Sequence, residues 1–160
     1  MLTIVMGGPK SGKSLKAEAI ISDMAAGTEM IYIATMMPYG KEGQERILKH
    51  RQQRADKNFK TIECFYDLND LVIEPGSYIL LECISNLVAN ELFEKKLTSD
   101  MVVSKVIAAV EQLNTLATEL VVVSTIEPIK PEYDDETRMY IDTINRINEN
   151  LTTMGKVIVS

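Results

Sequence analysis

Near its start the chain runs Leu2-Thr3-Ile4-Val5-Met6 straight into Gly7-Gly8-Pro9-Lys10-Ser11-Gly12-Lys13-Ser14, and Leu15 to Met24 follow as a helix-forming stretch. This is the G-x-x-x-x-G-K-[ST] phosphate-binding loop in its confirming context, an apolar strand before it and a helix after it. The glycines let backbone N–H groups turn inward around phosphate oxygens with no Cβ in the way. The helix N-terminus behind the loop directs a positive dipole end at the same anion. The motif predicts a nucleoside triphosphate bound by Gly7, Gly8, Pro9, Lys10, Ser11, Gly12, Lys13 and Ser14. Lys13 would reach the β- and γ-phosphates, and the Ser14 hydroxyl would ligate Mg²⁺.

Strand-like and helical segments alternate along the rest of the chain. Strands are predicted at Leu2–Met6, Met30–Thr35, Phe59–Glu63, Tyr78–Cys83, Leu120–Ser124 and Lys156–Val159. Several are almost continuous apolar runs, as in strands covered on both faces by helices. Helices are predicted at Lys13–Ala25, Glu42–Arg54, Ile84–Glu94, Asp100–Thr118 and Asp134–Thr153. Leu87, Val88 and Leu92, then Val102, Val103, Val106, Val110 and Leu113, recur at helical spacing and read as core. The alternation predicts an α/β fold, a three-layer sandwich on a mostly parallel central sheet with right-handed crossovers. A length of 160 residues fits one domain, 1–160, with no linker, repeat or tail after the last strand.

Several function classes are excluded. A net charge of −6 leaves no surplus of Lys and Arg for a nucleic-acid backbone. No apolar run is long enough to span a membrane, and no signal peptide precedes the first strand. Cys64 and Cys83, in strand-like segments, read as buried reduced thiols and not as a disulfide or metal site. A cytoplasmic protein is expected.

A second chemical feature is His50, the only histidine, within Glu45-Arg46-Ile47-Leu48-Lys49-His50-Arg51-Gln52-Gln53-Arg54. On a helix, Arg46, His50 and Arg54 at i, i+4 and i+8 are expected on one face. Cations around an imidazole favour its neutral form, which is the nucleophilic one. The guanidinium groups could hold a phosphate against the ring. The other reading is a solvated basic helix. Glu82 ends the apolar strand Tyr78-Ile79-Leu80-Leu81, a position suited to an acid on the Mg²⁺ side, beside the loop of the first strand. Glu63 ends Lys60-Thr61-Ile62 and reads either as a contact to a base edge or as a solvated strand end.

Together these residues carry a resemblance. Gly7 to Glu18, Tyr32-Ile33-Ala34-Thr35, Glu45-Arg46-Ile47 with His50 and Arg54, Thr61-Ile62-Glu63, and Leu80-Leu81-Glu82-Cys83-Ile84 with Asn90 occur in the order found in the adenosylcobinamide kinase/adenosylcobinamide-phosphate guanylyltransferase family of cobalamin biosynthesis. About the first 95 residues are similar to it. The resemblance implies two activities. One phosphorylates the aminopropanol hydroxyl of adenosylcobinamide. The other transfers GMP from GTP, through a guanylylated histidine, to adenosylcobinamide phosphate, giving adenosylcobinamide-GDP. His50 matches that histidine. Guanine-nucleotide contacts are implied for Ala34, Thr35, Arg51, Gln52, Gln53, Arg54, Glu63 and Glu82. Glu82 therefore has two candidate roles, Mg²⁺ ligand or guanine acceptor. The resemblance further implies Mg²⁺, GTP, ATP or both as substrate, a corrinoid substrate, and a homotrimer.

The C-terminal third departs from the family pattern. Thr125-Ile126-Glu127-Pro128-Ile129-Lys130-Pro131 stands where the family has an Asn-Glu-Val-Gly loop with further glycines. A loop of prolines cannot adopt the positive-φ conformations that glycines allow. Two other readings follow from that difference: a kinase retaining only phosphoryl transfer, and a GTP-binding regulatory protein without turnover.

Overall fold

Six segments, most of them aliphatic, line up as one sheet in the computed structural model, which describes residues 1–160. They are β1 (Leu2–Gly7), β2 (Met30–Ala34), β3 (Phe59–Glu63), β4 (Tyr78–Leu81), β5 (Glu119–Thr125) and β6 (Lys156–Val159). Their order across the sheet is β3-β2-β4-β5-β1-β6, and every neighbouring pair is parallel. Parallel neighbours need crossovers, because a strand must return to the same end before the next begins. The helices in those connections are α1 (Lys13–Ala25), α2 (Gly40–Arg54), α3 (Ile84–Ala89), α4 (Ser99–Leu116) and α5 (Asp135–Leu151).

Side chains alternate across the strands and feed two cores. Ile4, Ile33, Ile79, Leu81, Leu120 and Val122 face one way, onto α3, α4 and α5. Val5, Tyr32, Leu80, Val121 and Val123 face the other, onto Ala17, Ile21 and Ala25 of α1. The result is the expected three-layer α/β sandwich of the phosphate-loop nucleoside-triphosphatase type. The apolar stripes of α3 and α4 are buried as expected. The helix α2 joins neither core, and Arg54 is its one buried residue.

The ends of β1, β4, β5, α2, α4 and α5 differ from expectation by one or two residues, and two further differences have side-chain causes. The strand predicted through Thr35 stops at Ala34, because the Thr35 N–H leaves the ladder and donates to the Glu82 carboxylate at 2.9 Å. The helix predicted as continuous over Ile84–Glu94 changes at Asn90 into a wider turn, Asn90–Glu94, in which the Lys95 N–H reaches the Asn90 carbonyl. Asn90 is buried there and donates to the carbonyls of Thr35 (2.9 Å) and Phe65 (2.7 Å), tying together the loops after β2 and β3. Such wide turns often mark functional regions.

Gly155, just before β6, packs against the first strand. A Cβ at this position would lie 2.3 Å from the Leu2 carbonyl oxygen and 2.8 Å from Leu2 Cβ. The Gly155→Ala variant is expected to lose about 1–3 kcal/mol through overpacking. A lower urea midpoint at unchanged m-value would show it.

Candidate functional site

The phosphate loop sits at the C-terminal edge of the sheet, where β1 hands over to α1. Two residues bend it through the left-handed region, Lys10 (φ 58°) and Gly12 (φ 79°), the second acting as the cap of α1. Gly7 allows the chain to fold back on itself, since a Cβ there would lie 2.3 Å from Ser11 Oγ. No side chain caps the start of α1, so its first N–H groups remain free to meet an anion. Lys13 Nζ donates to the Gly8 carbonyl at 3.1 Å, which holds the ammonium over the loop. Ser11 Oγ is buried without a hydrogen-bond partner inside the same turn.

The other candidate residues gather elsewhere on that edge. Ala34 at the end of β2, Glu63 at the end of β3, Glu82 after β4, and His50, Arg51 and Arg54 on α2 line one cavity of about 340 Å³. Arg54 is fixed by stacking, its guanidinium 3.5 Å from the centre of the Tyr32 ring, and it donates to Thr61 Oγ1 at 3.2 Å. Burial first, then the charge of Glu82, push the Tyr32 phenol far above its usual range, so it stays neutral under that cation. Arg51 pairs with Glu63 at 2.9 Å. Glu82 is nearly buried. One oxygen accepts from the Thr35 N–H, and the other lies 3.6 Å from His50 Nδ1.

Several expectations need correction. Arg46 does not share the face of His50 and Arg54; it is exposed and lines a separate recess with Tyr39 and Asn90. Eight residues on a 3.6-residue helix leave Arg46 and Arg54 well out of line. The face that meets the cavity is Ile47, His50, Arg51 and Arg54, at i, i+3, i+4 and i+7. A carboxylate, Glu82, lies 3.6 Å from the imidazole, beside the arginines expected there. Glu82 does not adjoin the loop of the first strand, because the crossover order inserts β5 between β1 and β4. Gln52 and Gln53 lie outside the cavity lining, and Gln53 donates instead to the buried Glu18 of α1.

Met36, Pro38, Gln44, Ile47, Leu48 and Phe65 complete the lining and were not singled out from the sequence. One signal pointed to two of them. Ile47 and Leu48 are the only aliphatic residues in an otherwise polar helix, adjacent to His50. The other lining residues come from loops whose paths follow from strand order.

No three or more His, Cys, Asp or Glu side chains converge to hold a metal ion by themselves. A Mg²⁺ bound against nucleotide phosphates needs no such cage, since it keeps waters and takes one or two protein oxygens. Ser14, half-buried in the first turn of α1, fits that requirement. Glu82 fits it poorly, with its oxygens directed to Thr35 and His50.

The loop after β5 passes directly beside the phosphate loop, the Ile126 N–H donating to the Gly7 carbonyl at 3.0 Å. It contains no residue at positive φ. Arg138 fastens it by donating to the carbonyls of Pro131 (2.8 Å) and Tyr133 (3.0 Å). Both cysteines are free; Cys64 is buried and Cys83 half-buried. Burial, with the Asp67 charge adding to it, pushes the Cys64 thiol up to about 11. Only the thiolate reacts, so Cys64 is expected to resist iodoacetamide at neutral pH until the chain is unfolded, as peptide mass spectrometry would show. No helix is long and apolar enough to cross a membrane.

A family model described as cobinamide kinase / cobinamide phosphate guanyltransferase matches residues 3–159, so the altered loop lies inside the matched region. The chain is also similar to two curated proteins, each named bifunctional adenosylcobalamin biosynthesis protein CobU. It is 39% identical to the one from Escherichia coli (strain K12) over 97 residues, 59% of this chain and 51% of that protein. It is 40% identical to the one from Salmonella typhimurium (strain LT2) over 96 residues, 58% of this chain and 51% of that protein. The chain thus spans about half the length of the curated relatives it matches.

Proposed function

The chain belongs to the cobinamide kinase / cobinamide phosphate guanyltransferase family, and from that membership we propose that it both phosphorylates adenosylcobinamide and guanylylates the product. The observation that carries this reading is His50, the only histidine, on the wall of a cavity along the same sheet edge as the phosphate loop. In the kinase reaction, the loop from Gly7 to Ser14 grips the triphosphate and Lys13 neutralises charge on the β- and γ-phosphates. The aminopropanol hydroxyl of adenosylcobinamide attacks the γ-phosphorus, and the nucleoside diphosphate leaves. Either GTP or ATP suits that step. Mg²⁺, held by Ser14 and the phosphates, would supply further positive charge there.

In the guanylyl transfer, a ring nitrogen of His50 attacks the α-phosphorus of GTP. A P–N bond forms, the α–β P–O bond breaks, and pyrophosphate leaves. An oxygen of adenosylcobinamide phosphate then attacks the same phosphorus, breaking the P–N bond and giving adenosylcobinamide-GDP. The covalent intermediate divides one difficult displacement into two. Arg51 and Arg54 offset charge at the phosphates, with Gln52 and Gln53 completing their helix turn. Ala34 and Glu63 frame the guanine, whose N1–H and amine suit a carboxylate acceptor, with Thr35 buried behind the cavity wall. A cytoplasmic homotrimer is proposed on the same family resemblance, and sedimentation equilibrium tests the trimer.

One feature favours a narrower reading, retention of a single activity: the altered loop bonds directly to Gly7. The test separates the two. Protein incubated with GTP labelled at the α-phosphate is expected to carry an acid-labile, base-stable GMP adduct, and GTP labelled at the γ-phosphate is expected to phosphorylate adenosylcobinamide. Labelled corrinoid without any adduct on intact protein would leave the kinase alone. GTP binding with neither product would leave a regulatory protein.

A further inference from the structure

We propose that Glu82 is a positioning residue for His50: it accepts the imidazole Nδ1–H and so leaves Nε2 as the nitrogen that attacks phosphorus. This rests on the guanylyl-transfer reading of His50 given above. Four observations meet here. His50 Nδ1 is shielded from solvent and has no hydrogen-bond partner, although the ring as a whole is 29% exposed. The ion-pair partner within reach of Nδ1 is Glu82 Oε1, at 3.6 Å, one small rotation from a hydrogen bond. Glu82 is itself 8% exposed, so this carboxylate is not a solvated strand end. Finally, it is held rigidly. Its Oε2 accepts from the Thr35 N–H, while the Thr35 hydroxyl bonds the Cys83 carbonyl (3.2 Å) and the Thr35 carbonyl bonds Asn90.

A carboxylate needed only to satisfy the Thr35 N–H would use one oxygen. Here the second faces a buried, otherwise orphaned ring nitrogen. That is the arrangement in which a fixed acid selects a histidine tautomer and supports the cation formed when the other nitrogen is consumed. Nε2 gives its lone pair to the α-phosphorus, the α–β bond gives its electron pair to pyrophosphate, and the proton stays on Nδ1 against Glu82. When the acceptor phosphate takes the GMP, the P–N electrons return to Nε2 and the ring is restored. No proton has to leave the ring in either half-reaction.

With a single histidine in the chain, ¹⁵N-histidine labelling gives one pair of ring nitrogens to observe. At a pH about two units above the ordinary imidazole value, the wild-type protein without nucleotide is expected to show a protonated Nδ1 and an unprotonated Nε2. The Glu82→Gln variant keeps the size and an acceptor oxygen for Thr35, so its amide N–H₂ is left facing Nδ1. The tautomer is then expected to flip to Nε2–H. Single-turnover guanylylation should fall about 10²- to 10⁴-fold, with the GTP dissociation constant changed less than about threefold. An Nε2–H tautomer in the wild-type protein overturns the proposal even if the variant does not fold, as does an unchanged tautomer in the variant. A loss of GTP affinity matching the loss of rate also overturns it and assigns Glu82 to the guanine. Absence of any GMP adduct on wild-type protein refutes guanylyl transfer itself, an outcome the spectrum of the free protein cannot produce or mask.

Discussion

Replacing His50 with alanine is expected to abolish the GMP adduct and, with it, formation of adenosylcobinamide-GDP. No second histidine exists to take over. Loss of a nucleophile removes the covalent route entirely, so the transfer rate should fall at least about 10⁴-fold. The fold has little reason to respond. His50 is half-buried on a helix that joins neither core, and its close polar neighbour is Glu82. On the proposed function, phosphorylation of adenosylcobinamide would draw on the phosphate loop, which does not line the His50 cavity, and should continue. The measurement is a pair of assays on one preparation, retention of α-phosphate label by the protein and γ-phosphate transfer to the corrinoid. An adduct surviving in His50→Ala would place the nucleophile elsewhere.

The Lys13→Ala variant should have the complementary effect, and a wider one. Lys13 is the cation that opens α1, held over the loop by the Gly8 carbonyl. In phosphoryl transfer the protein contributes mainly position and charge, and losing one such group costs about 10²- to 10³-fold in kcat. Alanine is a good helix former and the deleted bond is a single one, so unfolding midpoints should barely move. If one triphosphate site serves both reactions, Lys13→Ala lowers guanylylation as well as phosphorylation, whereas His50→Ala lowers guanylylation alone. Normal guanylylation in Lys13→Ala would instead require GTP to bind the His50 cavity without the loop. The two variants together thus decide whether the loop and the cavity grip one molecule or two.

Much of the architecture was legible because it depends on local pattern. Phe59–Glu63 and Lys156–Val159 are strands at the expected residues, and Lys13–Ala25 is a helix at the expected residues. Short continuous apolar runs suit strands covered on both faces, and all six residues of β1 are buried. Legibility failed where a side chain captured backbone from a distant segment. Thr35 left its strand for Glu82, and Asn90 widened its helix to bind the loops after β2 and β3. Neither partner lies within a local window, so no periodicity could register them. The face of α2 was misjudged for a simpler reason. Spacing at i, i+4 and i+8 drifts around a helix, and the stripe that packs runs through Ile47, His50, Arg51 and Arg54.

By itself the sequence determined the α/β class, the phosphate loop with Lys13 and Ser14, and the candidacy of His50. These are matters of residue type and short spacing, where a glycine turn, a helix start and one imidazole carry their chemistry wherever the chain goes. Only the tertiary structure decided what His50 faces. Strand order places β4 beside β2 and inserts β5 between β4 and β1. Glu82 is thereby turned away from the first-strand loop and toward the imidazole, which lies 32 positions earlier in the sequence. A parallel sheet allows its crossovers to be arranged in more than one order, and it is that order that chose the partner of the histidine.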